Sequence, residues 1–129
     1  MLDNLNPDSV CAIIALAREF HAKEEVIFDE PSENPSGDWA RHQLEDYDGD
    51  PTFDELKSAI NDLEPDQQVT LVALMWLGRG DFEKSEWELA ERQARVERTA
   101  HTAEYLIATP LVADYLQEGL ALHGYSCEQ

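Results

Sequence analysis

Val69-Thr-Leu-Val-Ala-Leu-Met-Trp-Leu-Gly-Arg-Gly-Asp-Phe82 carries the apolar run on which the reading of this chain turns. Residues 69–77 are apolar except for Thr70. At 100° per residue, Val69, Val72, Ala73 and Trp76 cover one side of a helix and Leu71, Leu74 and Met75 the other. A helix that is apolar all round is a buried one. The nine residues of the run fall well short of the roughly 20 needed to cross a bilayer, so the run predicts a central core helix. Pro65 suits the first helical turn, where its missing N–H has no partner to lose. Gly78 and Gly80 supply the stop, because glycine takes the left-handed cap at little cost. The predicted helix spans residues 65–78.

Working outward, Glu64-Pro65 joins this helix directly to another. Thr52-Phe-Asp-Glu55 reads as a capping box, and Phe53, Leu56, Ile60 and Leu63 form the stripe of a helix over 53–63. Upstream, Asn6 before Pro7 is an N-cap with proline at the first position. Val10, Ile13, Ile14, Ala17 and Phe20 then recur at helical spacing over 7–25. His21 beside this stripe reads as a surface partner of the glutamates at 24 and 25. Downstream, Ser85-Glu-Trp-Glu88 repeats the capping-box pattern. Leu89, Val96, Ala100, Ala103 and Ile107 follow at spacings of three or four, with one helix over 85–107 favoured over two. Thr109 as cap and Pro110 at the first position begin a last helix that runs to about 123 and stops at Gly124. Gly119 inside it costs about 1 kcal/mol relative to alanine, which points to the close approach of another helix. No alternation of period two runs long enough to make a sheet. The expected fold is all-α, a single domain over 1–129 with five or six helices around the 65–78 helix.

Composition bounds what such a domain does. The 129 residues, 43% hydrophobic, suffice for one core without staples. Twenty-eight acids against nine lysines and arginines leave a net charge of -19. A field of that sign repels nucleic-acid phosphates and anionic lipid and favours cations or basic protein surfaces. Residues 24–66 hold 15 acids and 2 bases, a net of -13. Within them, about 26–51 is rich in turn formers, with a short helix expected over 38–47 lined by Trp39, Leu44 and Tyr47. Cys11 and Cys127 lie far apart with no CxxC or metal-ligand spacing, so reduced thiols are expected. The N-terminus shows no secretion signal. The expected location is the cytoplasm, without membrane association, direct nucleic-acid binding or a cofactor.

Three constellations touch on chemistry. Asp46-Tyr-Asp-Gly-Asp50 resembles the opening of an EF-hand calcium loop, with Asp46, Asp48 and Asp50 at the spacing of its first ligands. Pro51 stands where that loop needs glycine and Lys57 where it needs a bidentate glutamate, so any cation site over 46–54 is a weak one. Arg79 between two glycines is a candidate for binding a phosphate or carboxylate, or for capping the carbonyls of its own helix. Arg92, Arg95 and Arg98 form a basic stripe that Glu88 and Glu91 would neutralise at i,i+4; Glu97, His101 and Glu104 would share a face of the same helix. No GxGxxG, GxxxxGK[ST], GxSxG, HExxH or CxxC occurs, and no residue presents itself as a nucleophile or base.

The strings GDWARHQL at 37–44, LVALMWLGRGDF at 71–82, EW at 86–87 and AEYLIATPLVADYLQEGL at 103–120 resemble an uncharacterised bacterial family of small acidic helical proteins, a domain of unknown function. The resemblance runs from about residue 37 to the C-terminus. It implies a bacterial cytosolic protein and brings no activity, cofactor or catalytic residue with it. Acidity and the missing catalytic motifs together favour a non-enzymatic protein acting through protein contacts, with a partner protein or as a homodimer. The alternative is a weak cation- or small-ligand-binding protein that uses the 46–54 loop or the Arg79 turn.

Overall fold

The computed structural model describes residues 4–24, 44, 47 and 49–127. Among these residues there are six α-helices and no strand: α1 Pro7–Glu24, α2 Pro51–Asn61, α3 Pro65–Arg79, α4 Trp87–Glu97, α5 Thr102–Ala108 and α6 Val112–Leu122. A short 3-10 turn, Lys84–Glu86, leads into α4.

The central helix forms as its sequence dictates. Glu64 N–H donates to Gln67 Oε1 at 2.8 Å to close the N-terminus, and Gly80 at φ 96° takes the left-handed cap, its N–H donating to Trp76 O and Leu77 O. Residues 68–77 are all buried. The two polar residues among them are satisfied: Gln68 Nε2 donates to Ile60 O at 3.1 Å, and Thr70 Oγ1 lies 3.1 Å from Asp66 O.

α3 packs against α4 on one side and α6 on another; α6 in turn lies against α1, and α2 bridges α1 and α5. The α3–α6 approach leaves no room for a side chain at two positions. A Cβ on Gly78 would fall 1.7 Å from Tyr115 O, and one on Gly119 would fall 2.4 Å from Leu74 O. Gly119 is therefore the close-approach residue that its unfavourable place in a helix suggested. On the far side, α1 buries Val10, Ile13, Ile14, Ala17 and Phe20. Asn6 caps it by accepting the Asp8 N–H at 2.8 Å. Phe20 meets Phe53 of α2 and Tyr47 at ring-centroid distances of 5.7 and 5.2 Å. Leu44 is buried beside them. The rest of the expected 38–47 helix lies outside the described residues.

Several expected boundaries move, each for a local reason. α2 begins at Pro51, not after Thr52, because Asp50 Oδ1 accepts the N–H groups of Thr52 and Phe53 at 2.9 and 3.0 Å. A carboxylate one residue before a proline makes the better cap, and the Thr52 box does not form. The box expected at Ser85 and Glu88 sits two residues earlier, with Glu83 N–H donating to Glu86 Oε1 at 2.8 Å. The single helix expected over 85–107 is two. Arg98 is extended at ψ 138°, Thr99 Oγ1 accepts the His101 N–H at 3.1 Å, and Thr102 Oγ1 donates to Thr99 O. Threonine side chains that compete for backbone groups break the helix there. Thr109 does not cap α6: its hydroxyl donates back to Tyr105 O at 2.7 Å. Leu111 takes the position before α6, at φ 62°.

The cysteines also differ from expectation. Cys11 and Cys127 are joined in a disulfide, with Cα atoms 5.6 Å apart, where reduced thiols were expected. Their separation of 116 residues in sequence hid a neighbourhood that the α1–α6 pairing creates.

Candidate functional surface

α4 is the helix whose placement leaves the most unusual surface. Its inward side is made of small residues, Ala90 and Ala94, both buried against α3. Alanine lets the helices approach closely, and apart from Trp87 at its start, which packs against the core, the large apolar residues of α4 lie away from that seam. Leu89 is 44% exposed and Val96 is 77% exposed. They stand seven positions apart, hence within about 20° of each other on one flank and about 10 Å apart along the axis. Gln93 and Arg92 fill the turns between them. Gln93 Nε2 donates to Glu97 Oε2, and Arg92 makes no ion pair among the described residues.

The neighbouring arginines do not pair along their own helix as expected. Arg95 reaches Asp66 of α3 at 3.6 Å, and Arg98 donates to the buried Gln68 Oε1 at 2.9 Å. Both tie the C-terminal end of α4 to α3, while the outward flank of the helix faces solvent. The expected grouping of Glu97, His101 and Glu104 on one helix face is dissolved by the break between α4 and α5. Glu104, with its side chain 12% exposed, instead pairs with Lys57 of α2 at 3.2 Å.

The Gly78–Asp81 turn holds a second cluster. Trp76 Nε1 donates to Tyr105 OH at 3.0 Å in the core, and Phe82 stacks at 5.9 Å from Trp76. Arg79 Nε and Nη2 both donate to Asp81 Oδ2, at 2.9 and 2.7 Å. Burial pulls the Arg79 guanidinium down, but hydrogen bonds and attraction from Asp81 and Tyr105 outweigh it and raise its pKa, so it stays charged. An anion arriving at Arg79 would have to displace an internal carboxylate.

Of the three aspartates proposed for a cation, Asp46 and Asp48 lie outside the described residues. Asp50 is described, and its Oδ1 already accepts two backbone N–H groups as the cap of α2. Among the described residues no three His, Cys, Asp or Glu side chains come together as ligands of a metal would.

His21 is half-buried rather than a surface residue. Its Nε2 lies 3.0 Å from Ile107 O and therefore carries the proton. Burial lowers its pKa, against a smaller raising effect of that hydrogen bond. His123, edge-on to Trp87 at 4.4 Å, is likewise lowered, first by burial, with the positive charge of Lys84 adding to it.

The spacing of Leu89, Val96, Ala100, Ala103 and Ile107 put Leu89 and Val96 on one apolar stripe of a single helix over 85–107, a stripe that the structure divides. The signal that would have corrected it is the pair Ala90 and Ala94, an i,i+4 repeat of small residues flanked by glutamate and arginine, which marks the narrow inward side of a closely packed helix.

A family model described as a protein of unknown function, DUF3775, matches residues 53–125. That span runs from the third residue of α2 to past the end of α6 and takes in every residue of the two clusters above. No curated protein and no solved structure matches the chain.

Proposed function

We propose, from the premise that the chain belongs to the DUF3775 family of unknown function, that it is a non-enzymatic cytoplasmic protein that acts by binding another protein through the outward flank of α4. The observation that carries this reading is the exposure of Leu89 and Val96, 44% and 77%, on one stripe of a helix whose inward side is buried on α3 and whose C-terminal end is tied down by Arg95 and Arg98. A rigid helix that presents spaced aliphatic residues inside a charged rim has the layout of a small protein contact: an apolar centre that excludes water and a polar border that sets orientation. The net charge of -19 favours a partner with a basic rim and disfavours nucleic acid or anionic lipid. Among the described residues no helix is long and apolar enough to cross a membrane.

A photo-reactive amino acid at Gln93, activated in living cells, tests the reading directly. Adducts to one protein species are expected, reduced sharply by Val96→Glu and not formed from the same probe at the exposed Glu118 of α6. Adducts of two chain masses identify a second copy as the partner. No adduct at 93, or equal labelling from 93 and 118, refutes the flank as the contact. The alternative, a weak cation or small-ligand site, has less behind it because Asp50 and Arg79 already serve internal partners. Calorimetric titration of calcium into chelator-treated protein should show no binding tighter than about millimolar.

A further inference from the structure

α6 ends at Leu122, and Gly124 at φ 89° turns the chain back. Gly124 N–H donates to Ala121 O at 3.0 Å and Tyr125 N–H to Leu120 O at 2.9 Å, which anchors the reversal to the end of the helix. Residues 125–127 then run as a short strap, without regular structure, to α1, where Cys127 is bonded to Cys11. Both cysteines are half-buried, and both line a groove of about 510 Å³ together with Asp8, Ile14, Arg18, Gln117 and Ser126. The disulfide-bonded residues thus form part of the groove wall.

We infer that Cys11–Cys127 is a redox-sensitive clasp. Oxidised, it holds the C-terminal strap across the end of the α1–α6 groove; reduced, it releases the strap and leaves the helices assembled. The helices do not depend on the bond for their packing. α1 is held to α6 by buried Ile13, Ile14 and Ala17 and by Arg18, which donates to Asp114 at 2.8 Å and Gln117 at 2.7 Å. What the bond adds to these contacts is a tether that holds the strap to α1.

The chemistry is thiol–disulfide exchange with a low-molecular-weight thiol of the glutathione type. Its thiolate attacks one cysteine sulfur, breaks the S–S bond, and leaves a mixed disulfide and a cysteine thiolate. A second thiolate attacks the mixed disulfide and frees the other cysteine. Two electrons pass to the protein, each cysteine thiolate takes a proton from water, and the small thiol leaves as its own disulfide. In a compartment that keeps thiols reduced the open form predominates, and oxidation closes it.

The test equilibrates the full chain in glutathione buffers that range from wholly oxidised to wholly reduced, quenches with an alkylating agent and weighs the product. Hydrogen exchange of residues 123–127 is followed in the same samples. The expected result is alkylation of both cysteines together as the buffer becomes reducing, with a matching rise in exchange confined to the strap and the adjoining turns of α1 and α6. Reoxidation should restore both. Cys127→Ser, on the strap, should show the fast exchange under all conditions, and Cys11→Ser should agree with it where it folds. Four results overturn the inference: no disulfide even in oxidised glutathione; a disulfide that survives wholly reduced glutathione; strap exchange that does not change on reduction; or loss of protection throughout α3 and α6 on reduction, which would make the bond a staple of the whole fold.

Discussion

Gly119→Ala sets helix propensity against packing, and the two have opposite signs. In an isolated helix the substitution stabilises by about 1 kcal/mol, because alanine loses less backbone entropy than glycine. In the folded chain the added Cβ falls 2.4 Å from Leu74 O and 3.0 Å from Leu74 Cγ. Ordinary contact begins at 3.4 Å, so along the line to the carbonyl the two backbones must part by 3.4 − 2.4, or 1.0 Å. A carbonyl in mid-helix cannot rotate aside as a flexible side chain would. Parting α3 from α6 by that much forfeits roughly a quarter to a half of the dispersion attraction across the seam, where Leu74, Leu116 and Leu120 are all buried. Overpacking of this kind costs about 1–3 kcal/mol. With the upper end appropriate to a backbone clash and the propensity gain subtracted, the net loss is about 2 kcal/mol. For a domain of this size that lowers Tm by about 6–10 °C, measurable by circular dichroism with a urea melt as a second reading. Gly78→Ala, whose Cβ would fall 1.7 Å from Tyr115 O, should cost more. Adding Leu74→Ala to Gly119→Ala should not rescue it, since the closer clash is with a main-chain atom. A Gly119→Ala protein that melts at or above the parent temperature would refute the close approach of α3 and α6.

Four further outcomes are expected. Leu74→Ala deletes a fully buried side chain and should cost about 2–5 kcal/mol by urea melt, while a loss under about 1 kcal/mol would show that α3 is not the core. Asp50→Ala removes the cap of α2 and should cost about 0.5–2 kcal/mol; an unchanged melting curve would return the cap to Thr52. His21 and His123 both titrate below their ordinary value of 6.5 in the fold. Above 6.5 both states are neutral and nothing is lost. As pH falls through that value the unfolded chain takes up protons that the folded chain resists, and stability declines until the folded imidazoles also charge. Proton NMR should place both midpoints below 6.5, and His21→Gln should lose less stability than the parent between neutral and acid pH. Raising NaCl from about 0.1 M to 1 M shortens the Debye length from about 10 Å to 3 Å. Relief of repulsion among the carboxylates of residues 24–66 should then raise Tm, and a flat response would show them paired or too dispersed to matter.

The parts of the fold that were legible in advance are those written in local chemistry. The apolar run at 69–77 between Pro65 and Gly80 is a buried helix wherever it is placed, and Asn6-Pro7 starts one in any context. Gly119 announced a close neighbour by being a poor choice otherwise. The candidate surface was not legible in the same way. Leu89 and Val96 fit the 3-to-4 spacing of an inward stripe as well as Ala103 and Ile107 do, and periodicity alone cannot say that a stripe is cut in two. The cut depends on Thr99 Oγ1 accepting the His101 N–H and on the Thr102 hydroxyl donating to Thr99 O, side-chain bonds that compete with the helix. Nor could spacing reveal that Arg79 would turn to Asp81, or that Asp50 would cap a helix.

The sequence by itself determined the class of the protein: an all-helical fold, strongly acidic, with its most apolar helix in the middle. These follow from side-chain chemistry and from neighbours within a turn or two, whose interactions form before any long-range contact does. Only the tertiary structure decided which apolar residues would be inside. Ala90 and Ala94 took the seam against α3 because small residues allow the closer approach, which turned Leu89 and Val96 out to solvent. It also decided that Cys11 and Cys127, 116 residues apart in sequence, would meet. That meeting requires α6 to lie along α1 and Gly124 to reverse the chain, a conjunction of distant packing choices that no local pattern encodes.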